Sequence, residues 1–464
     1  MLNAVKHLAW RSSFYATTHA SGMRHRVQHD GLGSLNALAA FFSTMMRALF
    51  FLLLPALLAC ASPAHAQAQR QLDSLQARYP FLHTSANHIE NATIGLQRFY
   101  QRLRLPGQQP AVLPGSRVSV VHIGDSHLKA DEFSGRVRQE LQRTYGSAGR
   151  GLVFPLGVAA TNGSPTVRTG ATSGKWRSKR VISARPDSTL PVGLSGISLA
   201  TADSGAAFTV RIPLRYWADY QFNFLTLLRQ PGPAAFDWQV LEPHGRLLGT
   251  VPGAGRRVAD SLPLDSLRSR VELRATRRRP QQTNAVLYGL LLENGRPGVL
   301  YHTIGVNGAA VRHYNRAPLF FEQMPLLQPD LFIISLGTND AFHASDFEPA
   351  RFAAQLDTLV SGLRRRCPEA EVLLTAPADS YRARRYHNPD LARLAAVLRA
   401  YAQAHDLAYW DLSAVQGGYG SMRQWRAAGL AQADLVHFTH DGYALQGLLL
   451  YLALQDGLSA FRTR

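Results

Sequence analysis

Residues 118–127 constrain the fold more than any other stretch of the chain. Five of the first six are valine, isoleucine or histidine, and such a run predicts a strand buried on both faces of a parallel sheet. Gly124 follows, where the chain can turn sharply, and a helical pattern begins at Asp131. A strand–turn–helix corner of this kind lies at the carboxyl edge of an open α/β sheet, where such folds bind their ligands. We therefore expect Ser126 to be exposed at that edge.

The overall composition indicates a globular protein with a full core. Of 464 residues, 46% are hydrophobic and 17% charged, and the length allows two or three domains. Lysine and arginine exceed aspartate and glutamate by 50 − 31 = 19, a balance that suits anionic partners. No nucleic-acid motif accompanies the charge, so we expect no nucleic-acid partner. The two cysteines, Cys60 and Cys367, predict no disulfide framework.

The amino-terminal residues 1–66 predict an upstream extension followed by a signal peptide. A short basic region precedes the apolar run 48–61, and Ala-His-Ala ends at Ala66, where we expect cleavage. The apolar run is too short to cross a bilayer comfortably. The pattern therefore predicts a secreted or periplasmic protein whose mature chain has no transmembrane span.

Two further expectations concern the same segment. Residues 1–44 show no steady periodicity, so the natural start is expected at Met45 or Met46. Cys60 follows Leu-Leu-Ala, which leaves a lipid anchor at this cysteine open as an alternative.

The remaining chain divides by its periodicity. Residues 67–116 predict a helical and linker segment, and the ranges 117–160 and 285–464 alternate strands with helices, as in a parallel α/β domain. Residues 161–284 instead show short alternating runs separated by turn residues, which predict an inserted antiparallel β-sandwich domain.

Four aromatic residues of the predicted insertion have two possible roles. They could form a platform on which a sugar stacks, or most of them could fill the core of the sandwich, which the residue types favour. The four are Trp176, Tyr216, Trp217 and Trp238.

Polar residues at the ends of predicted strands can supply the chemistry of ester cleavage. That reaction needs a nucleophilic hydroxyl, a base, a carboxylate that orients the base, and donors for the oxyanion. Ser126 can be the nucleophile, His437 the base and Asp434 the orienting acid, because two residues three apart can come from one turn. The backbone amides of Ser126 and Gly308 and the side-chain amide of Asn339 can form the oxyanion hole.

In order along the chain, four blocks resemble those of the SGNH (GDSL-type) hydrolases. They are Gly124-Asp125-Ser126, residues 305–308, residues 337–340 and Asp434-x-x-His437. The resemblance covers roughly 117–160 and 285–458. It implies a flavodoxin-like three-layer α/β/α fold and an esterase that needs neither a metal nor a cofactor.

A narrower resemblance concerns the substrate. Ser126-His127, the Gly-Leu-Val-Phe-Pro stretch at 151–155 and the segment 410–439 are similar to secreted bacterial peptidoglycan O-acetylesterases. This resemblance implies an O-acetylated polysaccharide substrate, acetylated at the muramic acid 6-hydroxyl. Two alternatives stay open: a carbohydrate-binding or wall-attachment protein with a vestigial hydrolase core, and a short-acyl esterase or acetyltransferase acting on another glycan.

The residues beside these blocks have simpler interpretations. We expect Asp125 and Asp340 to brace turns, and His122, which lies on a strand, to be a packed core histidine. Asn339 could also cap a helix, and His127 could contact substrate. No cluster of histidine, cysteine and aspartate has metal-ligand spacing, so no metal site is predicted.

Overall fold

The structure is a computed structural model that describes residues 63–103, 117–129, 131–183, 190–342 and 347–462. The predictions for residues 1–62, including Met45, Met46 and Cys60, therefore lie outside the described residues. Within the described ranges, no helix combines the length and the apolar character needed to cross a bilayer.

In the described residues, strands and helices alternate before and after a strand-rich stretch in the middle of the chain. The strands are β1 (Ile89–Glu90), β2 (Arg117–Gly124), β3 (Gly149–Val153), β4 (Arg168–Ser173), β5 (Arg177–Arg180), β6 (Ile197–Thr201), β7 (Ala207–Arg211), β8 (Phe222–Arg229), β9 (Asp237–Leu241), β10 (Leu247–Val251), β11 (Ala259–Arg268), β12 (Arg270–Thr276), β13 (Ala285–Glu293), β14 (Gly298–Gly305), β15 (Leu331–Ser335), β16 (Glu371–Thr375), β17 (Tyr381–Arg382), β18 (Tyr386–His387) and β19 (Ala408–Trp410). The helices are α1 (Pro63–Arg78), α2 (Ala92–Gly95), α3 (Gln97–Arg102), α4 (Ser126–Lys129), α5 (Phe133–Tyr145), α6 (Trp217–Tyr220), α7 (Val311–Asn315), α8 (Pro318–Gln323), α9 (Pro349–Arg366), α10 (Asp390–Ala404), α11 (Leu412–Val415), α12 (Met422–Ala427) and α13 (His440–Arg462).

One sheet has the strand order β1-β19-β16-β15-β2-β14. Its five strands from β19 to β14 are parallel, and the two-residue β1 pairs antiparallel with β19 at the edge. Taken in chain order, the parallel strands have the spatial order 2-1-3-4-5 of flavodoxin-like folds. The predicted α/β fold class is therefore confirmed.

Helices cover both faces of this sheet, because the strands alternate their side chains between two buried faces. Val121 and Ile123 point to a core shared with α9 and α10, whereas Val118 and Val120 point to a core shared with α5 and α13. The buried apolar residues of α5, Phe133 among them, belong to the second core. The result is a three-layer arrangement.

The chain between β2 and β14 builds two antiparallel sheets. Their orders are β10-β9-β12-β7-β4 and β11-β8-β13-β6-β5, and β3 pairs with β13. Trp238 is buried between side chains of both sheets, and Trp176 stacks on it with ring centroids 6.3 Å apart. Trp238 is therefore core, as the sequence favoured, and it does not form a sugar platform.

The strand pairing differs from the sequence expectation at both borders of this region. Residues 285–293 were assigned to the α/β part, but β13 pairs antiparallel with β8, β6 and β3. Strand β3, within the range 117–160, also belongs to this antiparallel sheet. A continuous apolar run fits a buried strand of either sheet type, so periodicity could not distinguish the two. The division into a hydrolase domain and an inserted domain itself stays a prediction.

The segment before β2 is tied to the core through Asn87. This buried side chain donates a hydrogen bond to the carbonyl of Leu449 (3.0 Å) and accepts one from the indole Nε1 of Trp410 (3.0 Å). It therefore links the amino-terminal segment to β19 and α13.

A buried carboxylate joins the sheet, α5 and the start of the antiparallel region. Asp131 accepts hydrogen bonds from both terminal nitrogens of Arg138 (2.9 and 2.7 Å), and it also pairs with Arg150 of β3. The side chains of Asp131, Arg138 and Arg150 are 3%, 0% and 3% exposed. Burial alone would raise the pKa of Asp131, but the two guanidinium groups outweigh it and hold the pKa below its usual range.

We expect Asp131→Asn to lower the free energy of unfolding by about 3–5 kcal/mol, because it leaves two buried arginines without their counter-charge. Since the folded-state pKa of Asp131 is depressed, its stabilisation is present above about pH 4. It is lost as the pH falls from there through the folded-state pKa. Urea unfolding at neutral and acid pH measures both effects.

The matched control is Asp265→Asn, which removes an exposed carboxylate that also pairs with arginine. It should leave the urea midpoint almost unchanged, because water screens exposed pairs. Equal losses in both variants would contradict the role given to Asp131.

Candidate active site

The site forms where three neighbouring strands end. In the sheet register Gly124 of β2 lies beside Gly305 of β14 on one side and Ser335 of β15 on the other. The loops that follow therefore leave the sheet side by side and carry Ser126, Gly308 and Asn339 to one edge. Loops are expected to converge in this way where neighbouring parallel strands end side by side.

The turn before Ser126 requires glycine at position 124. A Cβ there would lie 2.8 Å from the carbonyl oxygen of Ser335 and 2.5 Å from Cδ1 of Leu128. The chain then turns at Asp125, and α4 begins at Ser126. The close approach of β2 to β15 thus sets where the serine emerges.

Ser126, His437 and Asp434 form one hydrogen-bonded series. His437 Nε2 lies 3.0 Å from Ser126 Oγ, and His437 Nδ1 lies 2.7 Å from Oδ2 of Asp434. The serine and histidine are 311 residues apart in sequence. The structure therefore brings together the three side chains that the sequence analysis grouped.

The turn that holds Asp434 and His437 is closed by the carboxylate itself. Oδ1 of Asp434 accepts the backbone N–H groups of Val436 and His437, both at 2.9 Å, while Leu435 adopts a positive φ of 57°. Burial tends to raise the pKa of Asp434. The hydrogen bonds from the His437 ring and these amides outweigh it, so the pKa lies below its usual value. A carboxylate that stays ionised can orient a neighbouring imidazole.

The three predicted oxyanion donors differ in their present state. Gly308 lies in the cleft with a φ of 74°, and neither its amide nor that of Ser126 donates a hydrogen bond within the described parts of the chain. Asn339 also lines the cleft, but its Nδ2 donates to Oδ2 of Asp125 (3.1 Å) and to the carbonyl of Ala309 (3.0 Å). Both hydrogens of that amide are therefore engaged.

Asp125 and Asp340 brace the loops around the site, as expected. Asp125 accepts the backbone N–H of His127 at 3.0 Å as well as the Asn339 amide, and burial raises its pKa to about 7. Asp340 accepts the N–H of Val311 at 3.2 and 3.3 Å, and burial raises its pKa to about 6.

The two histidines near Ser126 have different surroundings. His122 is fully buried between Tyr301 Oη and Ser335 Oγ, each 2.7 Å away, and burial lowers its pKa to about 3. It is the core histidine that the sequence suggested. The ring of His127 packs 5.3 Å from that of His437, and its Nδ1 lies 3.1 Å from the hydroxyl of Tyr443. Burial lowers the pKa of His127 to about 3, so it is neutral at physiological pH.

A cleft of about 650 Å³ surrounds Ser126 and His437. Besides the predicted residues, it exposes three further amide side chains that can donate and accept hydrogen bonds, namely Asn162, Asn307 and Gln432. Asn307 lies in the block 305–308, where no role had been assigned to it, and no sequence signal marks Asn162 or Gln432, since amide residues are frequent in loops. Within the described ranges no group of three or more metal-ligating side chains occurs.

A small hairpin, β17–β18, which no sequence pattern predicts, lies at the rim of this cleft. Tyr381, Ala383 and Arg384 line the cleft, and the backbone N–H of Tyr381 donates to the carbonyl of Leu435 at 2.9 Å. The hairpin is therefore attached to the turn that carries His437. Strands of two residues are too short for periodicity to reveal.

Part of the chain matches a known family. Residues 265–445 match the GDSL-like Lipase/Acylhydrolase family. The matched range contains Gly308, Asn339, Asp434 and His437 but begins after Ser126. No curated protein matches the sequence.

Among solved structures, a peptidoglycan O-acetylesterase is similar over 83% of this chain and 99% of its own length, with a TM-score of 0.63 and 22% identity. This likeness concerns the fold. A lipase/acylhydrolase from Enterococcus faecalis is 24% identical over 34% of this chain and 76% of its own, with a TM-score of 0.27. An acetyl xylan esterase is 16% identical over 33% and 80%, with a TM-score of 0.28.

We expect Gly124→Ala to destabilise the protein by about 1–3 kcal/mol, because the added methyl must displace the backbone of β15 or the side chain of Leu128. Thermal unfolding measures this loss. Gly163→Ala is the control, since a Cβ at Gly163 would meet nothing within 4 Å. A Gly124→Ala protein as stable as Gly163→Ala would contradict the close contact.

Proposed function

We propose that this carboxylic ester hydrolase, whose residues 265–445 match the GDSL-like Lipase/Acylhydrolase family, is a secreted serine esterase that removes O-acetyl groups from peptidoglycan. The observation that carries this proposal is the hydrogen-bonded series Ser126–His437–Asp434 at the carboxyl edge of the sheet. The expected acetyl position is the 6-hydroxyl of muramic acid.

In the proposed reaction the Ser126 hydroxyl attacks the acetyl carbonyl carbon while His437 Nε2 takes its proton. Asp434 fixes the ring through Nδ1 and stabilises the imidazolium that forms. The bond to the sugar oxygen then breaks, and His437 returns the proton to that oxygen. A water molecule, deprotonated in turn by His437, attacks the carbonyl carbon of the acetyl-serine. The bond to Ser126 Oγ breaks, acetate leaves, and His437 returns the proton to Oγ.

The negative charge on the carbonyl oxygen needs donors during both steps. The amides of Ser126 and Gly308 point to this role because neither has another acceptor among the described residues. Asn339 can add a third donor when one of its hydrogens leaves Asp125 or Ala309. Exchange of one hydrogen bond for another is close to neutral in energy, whereas the bond to a developing anion is stronger.

Three observations support a glycan as substrate. The cleft is open and exposes amide side chains, which are suited to hydroxyl groups of sugars. The net charge of +19 suits an anionic wall polymer. The fold is similar to that of a peptidoglycan O-acetylesterase.

The location belongs to the same proposal. A signal peptide ending near Ala66 would deliver the enzyme to the periplasm or the medium, where the polymer is accessible. Amino-terminal sequencing of the native protein tests this, and a mature chain that begins near Met1 would contradict it. A lipid at Cys60 would appear as a mass increase on the mature amino terminus.

The central test is acetate release from O-acetylated peptidoglycan and from a chromogenic acetyl ester. We expect wild type to be active on both and Ser126→Ala to lose the activity, because no other hydroxyl contacts His437 Nε2 among the described residues. Full activity of Ser126→Ala would rule out the mechanism. Binding to insoluble wall material without any acetate release would favour a carbohydrate-binding protein instead, and acetyl transfer to a second sugar would favour a transferase.

We expect Asp434→Asn to lower kcat about 10⁴-fold, because an amide at this position no longer holds the imidazole in the required tautomer. Acetate release at saturating ester measures the loss. The matched control is Asp441→Asn at the exposed start of α13, which should keep wild-type turnover. A comparable loss of kcat in both variants would show that the loss does not come from the hydrogen bond between Asp434 and His437.

Asn339→Ala should lower kcat about 10²- to 10³-fold if its amide reaches the oxyanion. The KM for the ester should change much less, because this interaction forms only in the transition state. A variant with a raised KM and an unchanged kcat would instead assign Asn339 to substrate binding or to bracing Asp125.

A further inference from the structure

The hairpin β17–β18 presents an arginine to the catalytic cleft through an unfavourable backbone. The N–H of Arg385 donates to the carbonyl of Arg382 at 3.1 Å, and the two central residues, Ala383 and Arg384, have φ values of 51° and 59°. Positive φ at both positions is typical of a type I′ turn, which normally has asparagine and glycine there. Alanine and arginine disfavour this conformation, so the surrounding structure must impose it.

The base of the hairpin supplies that constraint. The guanidinium of Arg382 donates to the carbonyls of Phe342 (2.9 Å) and Ala341 (2.6 Å) and to a carboxylate oxygen of Asp390 (2.7 Å). On the other side of the hairpin, the backbone N–H of Tyr381 donates a hydrogen bond to the carbonyl of Leu435, the residue after Asp434. The hairpin is therefore fixed both to the loop that follows Asn339 and to the turn of the catalytic histidine. A strained turn held this firmly in an active site is a sign of function.

Arg384 is the cationic side chain among the residues that line the cleft with Ser126 and His437 in the described structure. It is exposed, and within the described ranges it makes no hydrogen bond and no ion pair. The acidic groups of the same cleft are Asp434, which is bonded to His437, and Glu132, whose carboxylate lies 3.5 Å from His440. The guanidinium is thus available to an anion on the substrate.

We propose that Arg384 binds a carboxylate of the glycan while the acetyl ester lies at Ser126, so that the enzyme selects carboxylate-bearing acetylated polymers over neutral ones. This inference rests on the proposed esterase function and adds a specificity-determining residue to it. A guanidinium suits the task because it presents paired donors that match a carboxylate. In peptidoglycan the carboxylate can come from the stem peptide or, once the peptide is removed, from the lactyl group of muramic acid.

The neighbouring Arg385 provides a control of the same charge in the same hairpin. It is exposed, but it does not line the cleft, and its guanidinium lies over the ring of Tyr386, 5.4 Å from the centroid. Removing Arg385 changes the net charge as much as removing Arg384 does. Any difference between the two variants therefore reports the position of the charge.

The experiment compares kcat/KM for acetate release from three substrates: O-acetylated peptidoglycan, the same material after amidase treatment, and an acetylated neutral xylo-oligosaccharide. In Arg384→Ala we expect the ratio of the anionic to the neutral value to fall about three- to tenfold, as for one partly exposed charged contact. Arg384→Glu should lower the ratio further, Arg384→Lys should retain most of it, and Arg385→Ala should match wild type. The wild-type preference should also weaken as salt is added.

The two anionic substrates identify the source of the carboxylate. A preference for intact peptidoglycan that disappears after amidase treatment assigns the carboxylate to the stem peptide. A preference that appears only after the treatment assigns it to the lactyl group, because that carboxyl is held in an amide bond until the peptide is removed. An unchanged ratio in Arg384→Ala, or an equal fall in Arg385→Ala, would overturn the role of Arg384 while leaving the esterase intact. Wild type that releases no acetate from any of the three substrates would overturn the proposed function itself.

Discussion

The contact of β2 with β14 and β15 at Gly124 is the constraint on which the rest of the site depends. The three strands end level with one another, so their loops leave one edge in parallel and place Ser126, Gly308 and Asn339 around one cleft. A larger residue at position 124 cannot lie between Ser335 and Leu128. The geometry of the nucleophile is therefore decided in the packing of the sheet, one turn before the serine itself.

The sequence could predict those parts of the site whose determinants are local. The turn at Asp434 is closed by hydrogen bonds within four residues, and the corner at Ser126 follows directly from a buried strand and a glycine. It could not predict that β13 would join the antiparallel sheet, because an all-apolar strand carries no sign of its partner. The sequence also could not predict the turn at Ala383 and Arg384. Neither residue type favours the positive φ found there, which is imposed by the contacts of Arg382 with distant parts of the chain.

Asp125 shows why residue type alone did not define the oxyanion hole. Its carboxylate is fully buried and binds both the backbone N–H of His127 and the side-chain amide of Asn339. Burial raises its pKa to about 7, so the carboxylate is costly to keep ionised, and these two donors offset part of that cost. The side-chain amide of Asn339 therefore stabilises the loop, and one of its hydrogen bonds must break before the amide can bind an oxyanion. The sequence predicted that Asn339 lies in the cleft. It did not predict that Asp125 and Ala309 would accept both hydrogens of its amide.

The large antiparallel region lies between β2 and β14 along the chain, yet Ser126, His437 and Asp434 form one hydrogen-bonded series. Ser126 precedes this region and His437 lies near the other end of the chain. The helices that follow them, α5 and α13, share one core under the same face of the sheet. The ends of this region only have to meet at the edge formed by β2 and β14, a closure that costs little more for a long segment than for a short one. The buried pair of Asp131 with Arg150 fixes β3, the first strand of the region, against the segment that follows Ser126. The hydrogen bonds of the series Ser126–His437–Asp434 and those of the Asp131–Arg150 pair use separate side chains, so a large antiparallel region between β2 and β14 is compatible with the geometry of the site.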